Sequence, residues 1–257
     1  MRLRGNGASS FGRALALLAT SFGALLLLAG CTVVGSSPQT SAVFTTAPWR
    51  VGERLEYRLS TGSGEEVGRG VLTAQQEGAG LVLRQSYTGA SSGSDEIALT
   101  VDPKTLVAMQ GTRETSRRSS DSVATASSAW AYRLDGARLR LDTLGQGGAV
   151  TESTDLGVQP HAYDNESSLW LWRGLAFAEG YEQSYVSVNP VDGSRQVVTV
   201  RVPQHESVTV PAGTFDAWRV IVRSGRAVRT AWISSQAPYP VVRWDNGDVV
   251  FELIKAE

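Results

Sequence analysis

Cysteine occurs once in the 257 residues, and histidine and methionine twice each. A lone cysteine, Cys31, cannot form a disulfide within the chain, and it excludes a cysteine-rich zinc site. His161 and His205 stand in neither H-x-x-x-H nor H-E-x-x-H spacing, so carboxylates would have to complete any metal shell. No metal and no cofactor is therefore expected. An excess of positive charge is also missing: 24 Lys and Arg face 25 Asp and Glu. Met1 to Gly30 holds Arg2, Arg4 and Arg13 and no acid, so removing it takes the formal charge from −1 to −4. Nucleic-acid binding, which needs many cationic contacts to phosphate, is set aside.

What is present begins with those arginines. They precede a run from Ala14 to Gly30 without charge that ends in Leu28-Ala29-Gly30-Cys31. A basic start, a short apolar stretch and small residues before a cut make a secretory signal over residues 1–30. The run is 17 residues long, against roughly 20 for a comfortable spanning helix, which leaves an uncleaved anchor as the weaker alternative. Residues 31–48 carry no charge and are rich in Ser, Thr and Pro; such a segment buries too little apolar area to fold and is expected to be a flexible tether.

Residues 49–257 are expected to form a single antiparallel β domain. Leu55, Tyr57 and Leu59 alternate with Arg54, Glu56 and Arg58, the period of a strand with one buried face. Further runs lie at 67–76, 81–88, 96–101, 106–113, 122–134 and around Leu139 and Leu141. Others follow at 181–188, 196–202, 206–210, 217–223, 226–234, 241–244 and 249–254. Asp135-Gly136 and Asn246-Gly247 are hairpin signals. One helix is expected, with Asp164 as its cap, Leu169, Trp170, Trp172 and Arg173 in its turns and Gly174 as its stop.

Leu28-Ala29-Gly30-Cys31 resembles the lipobox of bacterial lipoproteins. That likeness implies acylation of Cys31, palmitate being a typical chain, and cleavage before it. It places the protein outside the cytoplasm, in the cell envelope or periplasm, with the membrane as a partner through the lipid anchor. The opening Val51-Gly52-Glu53-Arg54-Leu55-Glu56-Tyr57, the turn Val101-Asp102-Pro103-Lys104-Thr105-Leu106, the helix with Leu169 and Arg173, and the hairpin around Val208, Pro211, Gly213 and Val220 resemble a bacterial envelope family of unknown function. That family is similar in shape to the LolA/LolB lipoprotein carriers. The resemblance implies a mainly β fold: a strongly curved antiparallel sheet, an incomplete barrel, with one short helix packed on or across its concave side.

Chemical motifs are few. Gly89-Ala90-Ser91-Ser92-Gly93 spells G-x-S-x-G, but a nucleophile elbow needs a helix after it and here another strand follows, so a loop is the better reading. His161, Asp164 and Glu166 cluster before the helix; capping explains the two acids more simply than acid–base chemistry. Arg219, Arg223, Arg229 and Arg243 are candidates for a basic stripe, or for a charged outer face balanced by acids. Trp170, Trp172, Trp218, Trp232 and Trp244 can fill the core, which is the default, or line a pocket for an apolar ligand. The expected function is that of a non-enzymatic, membrane-tethered lipoprotein handling an apolar or amphiphilic envelope component. A module binding an envelope protein partner is the alternative, and a hydrolase using Ser91 or His161 comes last.

Overall fold

The structure, a computed structural model, describes residues 42–44, 46–78, 80–89, 93–118 and 125–257. The signal segment 1–30, Cys31 and Ser91 lie outside the described residues. The described residues form fifteen strands: β1 (Arg54–Ser60), β2 (Glu66–Glu77), β3 (Gly80–Gly89), β4 (Gly93–Val101), β5 (Ala108–Arg118), β6 (Thr125–Asp135), β7 (Arg138–Leu144) and β8 (Val150–Gly157) make up the first half. The second half holds β9 (Tyr163–Asp164), the helix α1 (Ser168–Leu171), β10 (Tyr181–Val188), β11 (Arg195–Val210), β12 (Gly213–Ser224), β13 (Ala227–Ser234), β14 (Val241–Asp245) and β15 (Val250–Ala256).

All fifteen strands belong to one open, curved sheet, in the order β8-β7-β6-β5-β4-β3-β2-β1-β15-β14-β13-β12-β11-β10-β9. The chain enters at the middle, walks out to one edge at β8, and resumes at the opposite edge with β9 and β10. It then walks back until β15 pairs with β1. Every pairing is antiparallel except that of β9 with β10. The segment between β8 and β10 must therefore cross from edge to edge, and it carries α1. The helix packs on the concave side, where Trp170 and Leu171 are buried.

The helix is shorter than expected, one turn continued by a 3-10 turn over Trp172–Gly174. Asp164 does act at its start, through Oδ1 accepting the Ser167 N–H at 2.9 Å. Gly174 has a different reason from the expected stop: a Cβ there would lie 2.6 Å from the Thr46 carbonyl oxygen, so glycine allows the incoming chain to touch the helix. That contact exposes an error in the tether boundary. Phe44, inside residues 31–48, is 1% exposed. Its ring meets Tyr163 and Tyr185 edge-on, with centroids 5.0 and 5.1 Å away. The folded region thus begins before Trp49, because one aromatic side chain in an otherwise polar stretch suffices to dock it.

Two strand features also differ from expectation. Residues 196–202 and 206–210 form one continuous strand, β11, with an irregular register between Arg201 and Gln204 that accommodates Pro203, a residue without an N–H for the ladder. The hairpin of β11 and β12 runs on past the ends of β13 and β14, and its turn docks on β15, where the Ala212 N–H donates to the Leu253 carbonyl at 3.0 Å.

Candidate functional site

The curvature leaves a cavity of about 750 Å³ on the concave side, open at one mouth. Small-molecule sites span roughly 300–1,000 Å³. Its floor follows from cross-strand register: Leu59 on β1 faces Phe251 on β15, Phe251 faces Trp244 on β14, and Trp244 faces Ala231 on β13. Residues paired across strands share a face, so this row points inward. From the other side α1 brings Trp172 to 4.8 Å from Trp244, centroid to centroid. The Trp172 indole N–H donates to the Tyr185 hydroxyl at 3.0 Å, while burial pushes that phenol up to about 12.

The mouth is polar. Arg113 on β5 makes a two-pronged contact with Asp95 on β4, Nε to Oδ1 at 3.0 Å and Nη2 to Oδ2 at 2.6 Å. Its Nη1 donates to Glu166 Oε1 at 2.8 Å. Glu166 belongs to the crossing segment, so this pair fastens the segment to the sheet wall. Gln85 strengthens the fastening, donating to the Glu166 carbonyl and accepting from the Tyr87 hydroxyl at 2.6 Å. Burial raises the Glu166 carboxyl from 4.5 to about 7, against the opposing pull of Arg113. Asn189, Gln196 and Asn246 add side-chain amides, and Arg229 a cation, around the same opening.

A second staple lies deeper. Arg173, with no exposed side-chain surface, donates through Nη2 to Glu53 Oε1 and Oε2 at 2.7 and 3.0 Å. It also donates to the carbonyls of Tyr239 and Pro238. The pair ties the 3-10 turn after α1 to the residue that leads into β1, and neither side chain lines the cavity.

With the architecture in view, a family profile described as "Protein of unknown function (DUF3108)" matches residues 56–254, from β1 into β15. The chain belongs to that family. Among solved structures, this DUF3108 chain is similar to the beta-barrel-like protein of a domain of unknown function, DUF1849, from Brucella abortus. The two share 12% identity over 80% of this chain and 97% of the other, with a TM-score of 0.52. At that identity the likeness is one of fold. Matches to a candidate lipoprotein from Parabacteroides distasonis (13% identity, 84% of this chain and 100% of that one, TM-score 0.31) and to a candidate exported protein with a YmcC-like fold from Bacteroides fragilis (13%, 84% and 100%, 0.30) are looser. No curated protein matches the DUF3108 chain.

Of the five tryptophans singled out in the sequence, Trp172 and Trp244 reach the cavity. Trp170 is completely buried behind them, edge-on to Trp49 at 5.8 Å. Trp218 points to the concave side, since it lies two residues before inward-facing Val220 and opposite buried Ile233. It is stacked on Phe177 and beside His205 rather than lining the cavity. Trp232 is a correction. It pairs with Arg219 and Arg243, the outward neighbours of inward Val220 and Trp244, so it sits on the outer face, with the Arg243 guanidinium 5.2 Å from its ring and its indole N–H donating to Glu206 at 2.5 Å.

The expected basic stripe is broken by the same alternation: Arg229 pairs with inward-facing Val222 and lines the mouth, whereas Arg219 and Arg243 flank Trp232 outside. His161, Asp164 and Glu166 do not assemble either. Asp164 accepts from Ser167, Glu166 is held by Arg113, and His161 is exposed. Among the described residues no group of three or more His, Cys, Asp or Glu is placed to hold a metal. Sequence reasoning missed Arg113, Asp95 and Gln85; their one signal was polar residues at positions where the strand period calls for apolar ones.

Proposed function

We propose that the protein is a membrane-tethered, extracytoplasmic lipoprotein, anchored through acylated Cys31, which binds an amphiphilic envelope component in its concave cavity without chemical turnover. The observation that carries the binding role is the division of the cavity into an apolar floor of Leu59, Trp172, Trp244 and Phe251 beneath a hydrogen-bonding mouth. Water held over such a floor is released when an apolar chain covers it, worth about 25 cal/mol per Å², and the mouth gives the polar end a partner. The anchor rests on the basic start, the apolar run and the cysteine that follows it.

Native mass spectrometry of a soluble form beginning at Ser37, which keeps Phe44, tests the binding role. The expected result is a lipid-sized adduct after exposure to membrane extract, lost in Ala227→Trp, which fills the mouth from an exposed position. An unadorned mass under all conditions overturns it. Labelled palmitate incorporation that disappears in Cys31→Ser is expected for the anchor. A second reading, docking of a protein partner, is favoured by β8, an edge strand exposed along nearly its whole length; crosslinking from β8 in cells, with no adduct in the cavity, would select it.

A further inference from the structure

Of the five side-chain amides in the lining, which include Gln85 and Asn165, those of Asn189, Gln196 and Asn246 stand at the mouth with their oxygens engaged inside the protein. Asn189 Oδ1 accepts the Val191 N–H at 2.9 Å, and Asn246 Oδ1 accepts the Asp248 and Val249 N–H groups at 2.9 and 2.8 Å. Gln196 accepts from the Ser224 hydroxyl. A backbone N–H can bond only to the oxygen of a side-chain amide, so these contacts fix the flip of Asn189 and Asn246 and direct their NH₂ groups elsewhere. Each of the three amide nitrogens has no side-chain partner among the described residues, and all three residues line the cavity.

The charges there tell the complementary half. Arg113 is engaged by the carboxylates of Asp95 and Glu166. Arg229 is then the one cation of the lining without an ion pair among the described residues. A phosphate or carboxylate headgroup would have a single unpaired guanidinium to neutralise it, with the Asp95 carboxylate close by and the Glu166 carboxyl, which ionises as pH rises through about 7, beside it. An uncharged group rich in oxygen suffers no such repulsion and offers many acceptors to neutral donors, each net hydrogen bond being modest but additive in register.

On this basis, and resting on the amphiphile-binding reading above, we propose that the cavity selects amphiphiles with an uncharged, polyhydroxylated headgroup, that is, a saccharide carried on an apolar chain. The chain lies on Trp172, Trp244 and Phe251, and the sugar hydroxyl and ring oxygens accept from Asn189, Gln196 and Asn246. The Ser187 and Ser194 hydroxyls beside them can donate or accept, which suits a hydroxyl partner of either sense.

The test is calorimetric titration of the soluble form beginning at Ser37 with three amphiphiles of one chain length, dodecyl maltoside, dodecylphosphocholine and sodium dodecanoate, each below its micelle concentration, and with maltose alone. Dodecyl maltoside is expected to bind about tenfold more tightly than the other two, as two or so extra net hydrogen bonds imply. Gln196→Ala, at an exposed position, is expected to narrow that difference while leaving dodecanoate unchanged. Equal affinity for all three overturns the headgroup selection and leaves amphiphile binding standing. Binding of none overturns amphiphile binding itself, and the selection with it. Maltose binding as tightly as dodecyl maltoside supports the saccharide and removes the apolar chain.

Discussion

Two charge clusters hold the same crossing segment, one buried (Arg173 with Glu53) and one half-buried (Arg113 with Asp95 and Glu166), and they should respond differently to substitution. Arg173→Met leaves Glu53 buried without its cation and strips donors from the carbonyls of Tyr239 and Pro238. A loss of about 3–5 kcal/mol is expected in urea unfolding, with much of it recovered when Glu53→Leu is added, since removing both charges removes the uncompensated one. Glu166 responds to pH instead. Its folded carboxyl holds a proton up to about pH 7, whereas the unfolded one releases it near 4.5. Its contribution is therefore complete below pH 4.5 and declines as pH rises through 7, by up to about 3 kcal/mol. The expected measurement is an unfolding midpoint that falls between pH 5 and 8 in the parent and is flatter in Glu166→Gln. Neither cluster was legible in the sequence, because Glu53 and Arg173 are 120 residues apart and nothing local distinguishes them from solvated surface charges. The tryptophans were legible as apolar mass but not by face, since one residue of register decides between cavity and outer surface, as Trp232 and Trp244 show.

At the scale of elements, strands with one wet face announced themselves. The run Leu55, Tyr57, Leu59 and its counterparts in β2 and β4 alternate as buried and exposed residues do. Besides the two-residue β9, the strand that escaped notice is β8, where Val150, Thr151, Glu152, Ser153, Thr154 and Asp155 are all exposed, so no period was written into the sequence. Phe44 escaped for the opposite reason, a single core residue within a segment of loop composition. Its removal is a sharp test of where the folded body starts. Phe44→Ala is expected to cost about 3–5 kcal/mol, as for other buried aromatic truncations. A soluble form beginning at Trp49 should lose the same amount. Gly174→Ala should mimic part of the effect by forcing Thr46 away, roughly 1–3 kcal/mol. Thermal melts of the three variants against the form beginning at Ser37 provide the check.

At the scale of the molecule, an open sheet of fifteen strands has two edges to protect. The β9 edge is blocked by being two residues long. The β8 edge is met by the turn between β10 and β11, which curls across from the other half: a Cβ on Gly193 would stand 2.3 Å from Leu156 Cδ1 on β8 and 3.3 Å from Leu141 on β7. Among the described residues no backbone hydrogen bond joins this turn to β8, and the contact stands beside the cavity mouth, which Asn189 and Ser194 of the same turn line. Gly193 also has φ of 70°, so two costs can be separated. Gly193→Ala is expected to destabilise by about 2–4 kcal/mol, combining the clash with the left-handed backbone. In a Leu156→Ala background, which makes room for the methyl, the same Gly193→Ala change should cost only the backbone share of about 1–2 kcal/mol. Hydrogen exchange should speed up in β7 and β8 of the single variant while β1 and β15, at the centre of the sheet, stay protected. A uniform acceleration across all strands would mean that the ends are not a separable closure and that the sheet opens only as a whole.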